Sequence, residues 1–471
     1  MMTLEEMAYV QKLEAENREL KAIIVKLEAR IAELERRLGM DSSNSSKPPS
    51  TDGFKKKNRS LRKPSGKKPG GQTGHKGATL ELPCSPTETI SCTPKQCSNC
   101  SSFGQCQGKP IETRYEIDTE LKVLVREYLR MEYVCPKSKH LLRGEFPENI
   151  TATKQYGNNL KGLVISLGVD CAVSVIKIHK LLKSLLHLPV STGFIYHVME
   201  EYADQLKPQE ESIISHLFQA PILHGDETGC RADKKLAWVH NVSTSLFTYQ
   251  YVHEKRGRDG MAAAGFLPYY NGILIHDCWA PYWSFPSLTH GLCLAHILRE
   301  LKGIYDNDEK QEWTQNMEHL LLQMKSVKEN LIAKGKECAS NYYKRKFLKS
   351  WRLSIWVAKM KNPMKEVEKG YFRKNKARCL ADRLEAHTEE FLRFFYDFRV
   401  PFDNNQAERD VRPFKVKLKM AGCFRTLKGA QIYARIHSVL STIKKHGLNV
   451  YENVVAMLDN PSYIPWKPAG E

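Results

Sequence analysis

The sequence predicts a multidomain protein: an α/β core broken by a helical insertion, preceded by an N-terminal coiled coil and a small zinc-ribbon-like domain. Three observations carry that expectation. The chain has 471 residues, too many for one hydrophobic core and enough for about three domains. Its first forty residues hold a seven-residue apolar repeat. Its C-terminal half alternates short apolar runs, as in buried strands, with segments of helical period.

The composition narrows the partners. Lys and Arg outnumber Asp and Glu by 72 to 53, a formal charge of +19, which favours a polyanion, with nucleic acid first. No window offers 18 uninterrupted apolar residues; the best, Gly162 to Ile176, contains Asp170 and reads as a buried helix. The N-terminus lacks a signal-peptide pattern, so the expected compartment is the cytoplasm, in association with the nucleoid. Thirteen scattered cysteines predict free thiols with one metal site rather than a disulfide framework.

Residues 1–40 form the predicted coiled coil. Val10, Asn17, Ile24, Ile31 and Leu38 occupy one seam position, and Leu13, Leu20, Leu27 and Leu34 the other. Branched residues at the first with Leu at the second favour a parallel dimer through residues 10–38, and Asn17 penalises other registers. A single amphipathic helix packed on its own protein is the bland alternative. Gly39 ends the helix. Residues 41–82 are rich in Ser, Pro, Gly and basic residues and cannot bury enough surface to fold alone. Lys55, Lys56, Lys57, Arg59, Arg62, Lys63, Lys67 and Lys68 suit an arm that tracks DNA phosphates with salt-dependent affinity; a merely solubilising linker is the alternative.

Residues 83–150 carry half of a zinc ribbon, Cys97 and Cys100 in CSNC and Cys135 in VCPKSKH. Four ligands are normal for structural Zn²⁺, and the fourth position here is Ser138, with His140 or Cys106 as substitutes if the loops permit. Buried thiols in a small β domain are the competing reading. Strands are expected in YEIDTELKVLVREYLRMEYV. Residues 151–212 are helical, with a fresh helix starting near Ser191 or Thr192; a helix-turn-helix-like DNA reader and an ordinary helical subdomain fit almost equally.

The chemistry concentrates further on. In APILHGDETG an apolar strand ends in Asp226, Glu227 and Thr228, two alternating strands follow in LAWVHNVST and LFTYQYVHEKR, and a strand in NGILIHDCW delivers Asp277. Two carboxylates at adjacent strand ends make a platform for Mg²⁺ or Mn²⁺. The best third carboxylate is Glu408 in RVPFDNNQAERDVRPFK. There Asp403 is the expected N-cap, Asn404 and Arg412 share the helix face of Glu408, and the helix is expected to stop or kink at Pro413.

HGDETG, the HDCWAPYW segment and PFDNNQAERDVRPFK together resemble the bacterial transposases of the insertion-sequence-66 family. The resemblance runs on through the zipper, SSNSSKPPS and GGQTGHKG, the ribbon-like region and GAQIYARIHSVLSTIKKHGLN. It implies a ribonuclease-H-like core, a mixed sheet flanked by helices, with an Asp-Asp-Glu triad that falls on Asp226, Asp277 and Glu408. Ser138 departs from the family pattern. The core is then expected over residues 213–300 and 396–450, with a helical insertion over 301–395 and a C-terminal tail over 451–471. Cys293 and His296 in HGLCLAHILREL are placed like a metal pair, but a buried thiol and a hydrogen-bonded imidazole are favoured. The expected reaction is phosphoryl transfer on element ends and target DNA with two ions about 3.5 to 4 Å apart, and Arg409 and Arg412 as phosphate clamps. A nuclease that cuts without joining and a silent DNA-binding derivative are the alternatives. The resemblance also implies accessory proteins encoded by the same element.

Overall fold

The computed structural model describes residues 4–38, 80, 82–92, 94–95, 101, 105, 109–137, 140–308, 310–368 and 371–466. It divides into a large unit of residues 1–59, 148–183 and 189–471 and a small one of residues 60–147 and 184–188.

The N-terminal repeat folds as one helix, α1 (Leu4–Leu38). Its seam residues Val10, Leu13, Leu20, Ile24, Leu27, Ile31, Leu34 and Leu38 are all exposed in the single chain, as an unpaired zipper strand would leave them. In the small unit the described residues of 60–147 form the hairpin β1 (Glu132–Val134) and β2 (Leu141–Arg143), in register through Tyr133 and Leu142. Cys135 N donates to His140 O at 2.9 Å inside its loop. The longer strands expected between Tyr115 and Met131 do not form there. The described residues of this unit hold no buried position, so those β-branched side chains lack the packed surface that makes strand propensity count.

The helices α2 (Asn158–Ile165), α3 (Val175–Leu186), α4 (Thr192–Gln205) and α5 (Lys207–Gln219) lead into the sheet. The apolar stretch from Gly162 to Ile176 is not one helix: a π-helical turn over Ser166–Asp170 breaks at Ala172, φ +55°. The fresh helix α4 starts as the sequence predicts, with Ser191 accepting from Phe194 N at 3.1 Å. Five strands follow, β3 (Ile222–Ala232), β4 (Lys235–Ser243), β5 (Thr248–His253), β6 (Ile273–His276) and β7 (Thr289–Leu292), with a short helix α6 (Arg258–Ala262) between β5 and β6. Their order is β5-β4-β3-β6-β7, antiparallel on the β4–β5 side and parallel on the β6–β7 side. The β3–β4 turn rests on Asp233 and Lys234, both left-handed at φ +49° and +60°, the geometry of a tight two-residue hairpin.

Between β7 and the last core helices lie α7 (Leu294–Asn307), α8 (Trp313–Ala333), α9 (Asn341–Lys361), the hairpin β8 (Lys365–Glu368) and β9 (Tyr371–Arg373), α10 (Lys376–Ala386) and α11 (Thr388–Tyr396). Their apolar faces meet on Trp313, Trp351, Phe391 and Phe395, and the same cluster includes Ile275 and Leu292 of the sheet. The insertion thus shares its core with the strands instead of hanging from them. The chain returns through α12 (Asn405–Ala421), α13 (Leu427–Lys445) and α14 (Val450–Asp459). Helix α12 does not stop at Pro413. Val411 and Phe414, on its buried face, pack inward, so packing outweighs the one hydrogen bond that proline removes.

Candidate active site

Strand β3 presents alternate residues to its two sides. His224 and Asp226 face α12, where His224 Nδ1 donates to Asn404 Oδ1 at 2.8 Å. Gly225 and Glu227 face the other side, where a Cβ on Gly225 would come within 3.1 Å of Leu274 and 3.5 Å of Tyr282. Asp226 is not at the end of its strand, as the apolar run alone suggested. β3 continues six residues further because β4 pairs with it to Ala232; only the parallel pairing to β6 ends early, at His224 and Ile275. Asp226 therefore lies just past the point where β3 and β6 part.

Asp277 follows the last residue of β6 and lies beyond the same pairing limit. Its Oδ1 accepts from Trp279 N at 3.0 Å. Cys278 between them adopts φ +70°, an unfavourable conformation for a side chain with a Cβ, and its N donates to His276 Nδ1 at 3.2 Å. The carboxyl of Asp277 is pushed up by burial, against the Trp279 N–H and the nearby Arg256 and Arg383.

Glu408 sits in the first turn of α12. The N-cap is Asn404 rather than Asp403, and its side chain caps nothing. It accepts from His224 and donates Nδ2 to Gly225 O at 2.8 Å, while its backbone N donates to Cys293 Sγ at 3.2 Å. The first two bonds tie the start of α12 to β3 just before Asp226, and the third ties it to the start of α7. Asn404 is buried, so it is not part of an open amide, carboxylate and guanidinium face. Arg409 and Arg412 are exposed, and Arg409 Nη2 donates to Gln406 at 2.9 Å. The guanidinium that meets Glu408 comes instead from α7, Arg299 Nη2 at 3.4 Å, with His296 Nε2 at 3.8 Å.

Asp226 collects the electrostatic result. Burial raises its carboxyl well above the usual range first, and the charges of Glu227, Asp277 and Glu408 add to that. The Glu227 N–H, 2.9 Å from Oδ1, opposes that rise, and Lys415 of α12 is a cation that interacts with the same carboxylate. Among the described residues no group of three or more His, Cys, Asp or Glu stands ready to hold a metal ion, and Glu408 is turned toward Arg299. Cys293 is a buried thiol pushed up to about 12 by burial, as favoured. His296 is not the hydrogen-bonded imidazole expected beside it: its Nδ1 is buried without a partner, and burial pushes it down to about 4.

Lys55, Lys56, Lys57, Arg59, Arg62, Lys63, Lys67 and Lys68 lie outside the described residues, as do Cys97 and Cys100. Four neighbours of the acid cluster are absent from the sequence reading. Arg256 donates Nε and Nη2 to Glu227 Oε1 at 3.1 and 2.6 Å, Tyr282 donates to Oε2 at 2.8 Å, and Trp238 and Trp279 flank the guanidinium. The pairing of Asp226 with Glu227 and the aromatic HDCWAPYW run were the available signals.

A family model for IS66 family transposases matches residues 155–432, more than half of the chain, and takes in all three candidate acids. The class is therefore that of DNA-processing transposases. The chain belongs to the IS66 transposase family. A second model, for a family of unknown function (DUF6444), matches residues 3–81. No match was found among curated proteins. Among the described residues no helix is long and apolar enough to cross a membrane.

Proposed function

We propose that this transposase cleaves and rejoins the DNA ends of an insertion sequence, with Asp226, Asp277 and Glu408 as the acids that hold its metal ions. The observation that carries the reading is the buried Asp226 carboxyl, raised by burial and further by the charges of Asp277 and Glu408. A sheet with parallel strands at one side, a long hairpin at the other and helices α12 and α13 beside it supports a ribonuclease-H-like core. The donor set fits hard divalent cations: three carboxylates and no sulfur, with two of the carboxyls raised by burial and so in need of positive charge. Asp226 and Asp277 would hold the ions from the sheet and Glu408 from α12, on release from Arg299. When bound, Mg²⁺ or Mn²⁺ would supply an activated water or 3′-hydroxyl and stabilise the leaving oxygen. Arg299, which meets Glu408, and the exposed Arg409 and Arg412 of α12 would meet phosphate there.

The exposed seam of α1 supports a parallel homodimer. Residues 41–82 would track DNA, and Arg409 and Arg412 would bind it. Structural Zn²⁺ on Cys97, Cys100 and Cys135 is a separate proposal, tested by the zinc content of the purified protein. Partners encoded by the same element are a further one.

The test is incubation of the protein with labelled element ends and Mg²⁺ or Mn²⁺, wild type beside Glu408→Ala, with precut ends in a parallel reaction. Cleavage and joining by wild type alone are expected. Cleavage without joining reduces the protein to a nuclease, and equal products from Glu408→Ala overturn the triad.

A further inference from the structure

We infer that Arg256 grips a phosphodiester of the DNA strand at the acid cluster, its guanidinium held edge-outward by Glu227 and two tryptophans. The inference rests on the proposed active site and adds a substrate contact to it.

Arg256 follows β5, three residues past its last member. Its Nε and Nη2 both address one oxygen of Glu227, and Tyr282 takes the other. Glu227 is thereby saturated, with its side chain 1% exposed, while that of Arg256 remains 38% exposed. The guanidinium carbon lies 3.9 Å from the ring centre of Trp279 and 4.7 Å from that of Trp238. Two indoles and one carboxylate fix the plane of the cation and restrict its rotation. Among the described residues no hydrogen bond engages Nη1.

Its position matters as much as its posture. Trp279 is the residue whose N–H holds Asp277 Oδ1, and Arg256 is near enough to lower the carboxyl of Asp277. Asp226, Glu227, Asp277 and Glu408 together would repel a phosphodiester. Arg299 offsets that repulsion on the Glu408 side, and Arg256 offsets it on the other. A counter-ion for Glu227 alone would need neither the exposed edge nor the flat aromatic bed. Guanidinium groups with a free edge bind phosphate oxygens in a fixed geometry.

The decisive variant removes both members of the pair. Glu227→Gln with Arg256→Gln leaves an amide pair beside Tyr282 and no buried unpaired charge. Its binding to a fluorescein-labelled random-sequence DNA duplex is measured over a salt series. The expected result is a wild-type melting temperature, weaker binding, and a log K against log salt slope shallower by about 0.9, the value of one phosphate contact on duplex DNA. A wild-type slope overturns the proposal, because it makes Arg256 a counter-ion only. Arg256→Lys keeps the charge beside Glu227 and serves if the double variant does not fold. Its affinity should fall about tenfold with the slope retained, since ammonium cannot reproduce the fork; wild-type affinity overturns the inference. Asp277→Asn separates the two claims: retained plasmid nicking by that variant sinks the active-site reading, while the salt slope still reports on Arg256.

Discussion

Asp226 and Glu227 are consecutive acids on one strand, and the fold treats them in opposite ways. Glu227 points to the side where Arg256 and Tyr282 occupy both of its oxygens. Asp226 points toward α12; the charges of Glu227, Asp277 and Glu408 raise it, and Lys415 interacts with it without a hydrogen bond. Both carboxyls are raised by burial, but only one has partners that lower it by ion pairing. A buried acid with its lone pairs satisfied holds the structure together. A buried acid left among like charges weakens the fold, and such a group marks a site where a ligand supplies the missing charge.

The contrast can be broken at four places. The largest effect is expected at the proposed metal-binding acids: Asp226→Ala, Asp277→Ala or Glu408→Ala should cut the cleavage rate about a thousandfold or more, some 4 kcal/mol in the barrier. Binding of duplex DNA should survive, which a gel-shift titration checks. On the paired side, Arg256→Ala should leave Glu227 buried and uncompensated at a cost of about 3 kcal/mol. Urea unfolding measures it, and adding Glu227→Gln should recover most of the loss.

Asn404→Ala acts on the tie between the two elements that carry the acids. It strands Gly225 O and His224 Nδ1, for about 2 kcal/mol of stability, and should slow cleavage with DNA affinity unchanged. The smallest effect has the opposite sign. In the folded chain Asp226 keeps a proton that the unfolded chain releases near its ordinary pKa of about 3.9. Stability is therefore lost as pH rises from that value through the raised one. Asp226→Asn removes the loss without removing the side chain. Free of metal, it should melt about 2 °C or more above wild type at about pH 8, with the gap closing toward about pH 4.

Much of this arrangement is legible in the residues. The apolar runs before Asp226 and Asp277 mark β3 and β6, and the helical spacing around Glu408 marks α12, because in each the pattern of burial repeats the pattern of the sequence. What escapes it depends on pairing between distant segments. Nothing in ETGCRA signals a strand; β4 pairs across it and keeps it extended. The β8–β9 hairpin lies in a stretch read as helical, in KEVE and YFR, where the local residues favour neither form strongly. Asn404 looks like part of an open polar face until its amide is found on His224 and Gly225. Arg256, in a charged loop, gains meaning only once Glu227 and the two tryptophans surround it.

The insertion between β7 and α12 also orders events in time. Its helices lie between Asp277 and Glu408 in the chain. About 130 residues separate the two acids, so at ~5–20 residues per second the last one leaves the ribosome roughly 7–26 s after the second. On the proposed triad, a growing polypeptide therefore cannot assemble its metal site until Glu408 has emerged. A copy of the gene interrupted anywhere in that stretch encodes a product without Glu408, the third acid of the proposed site.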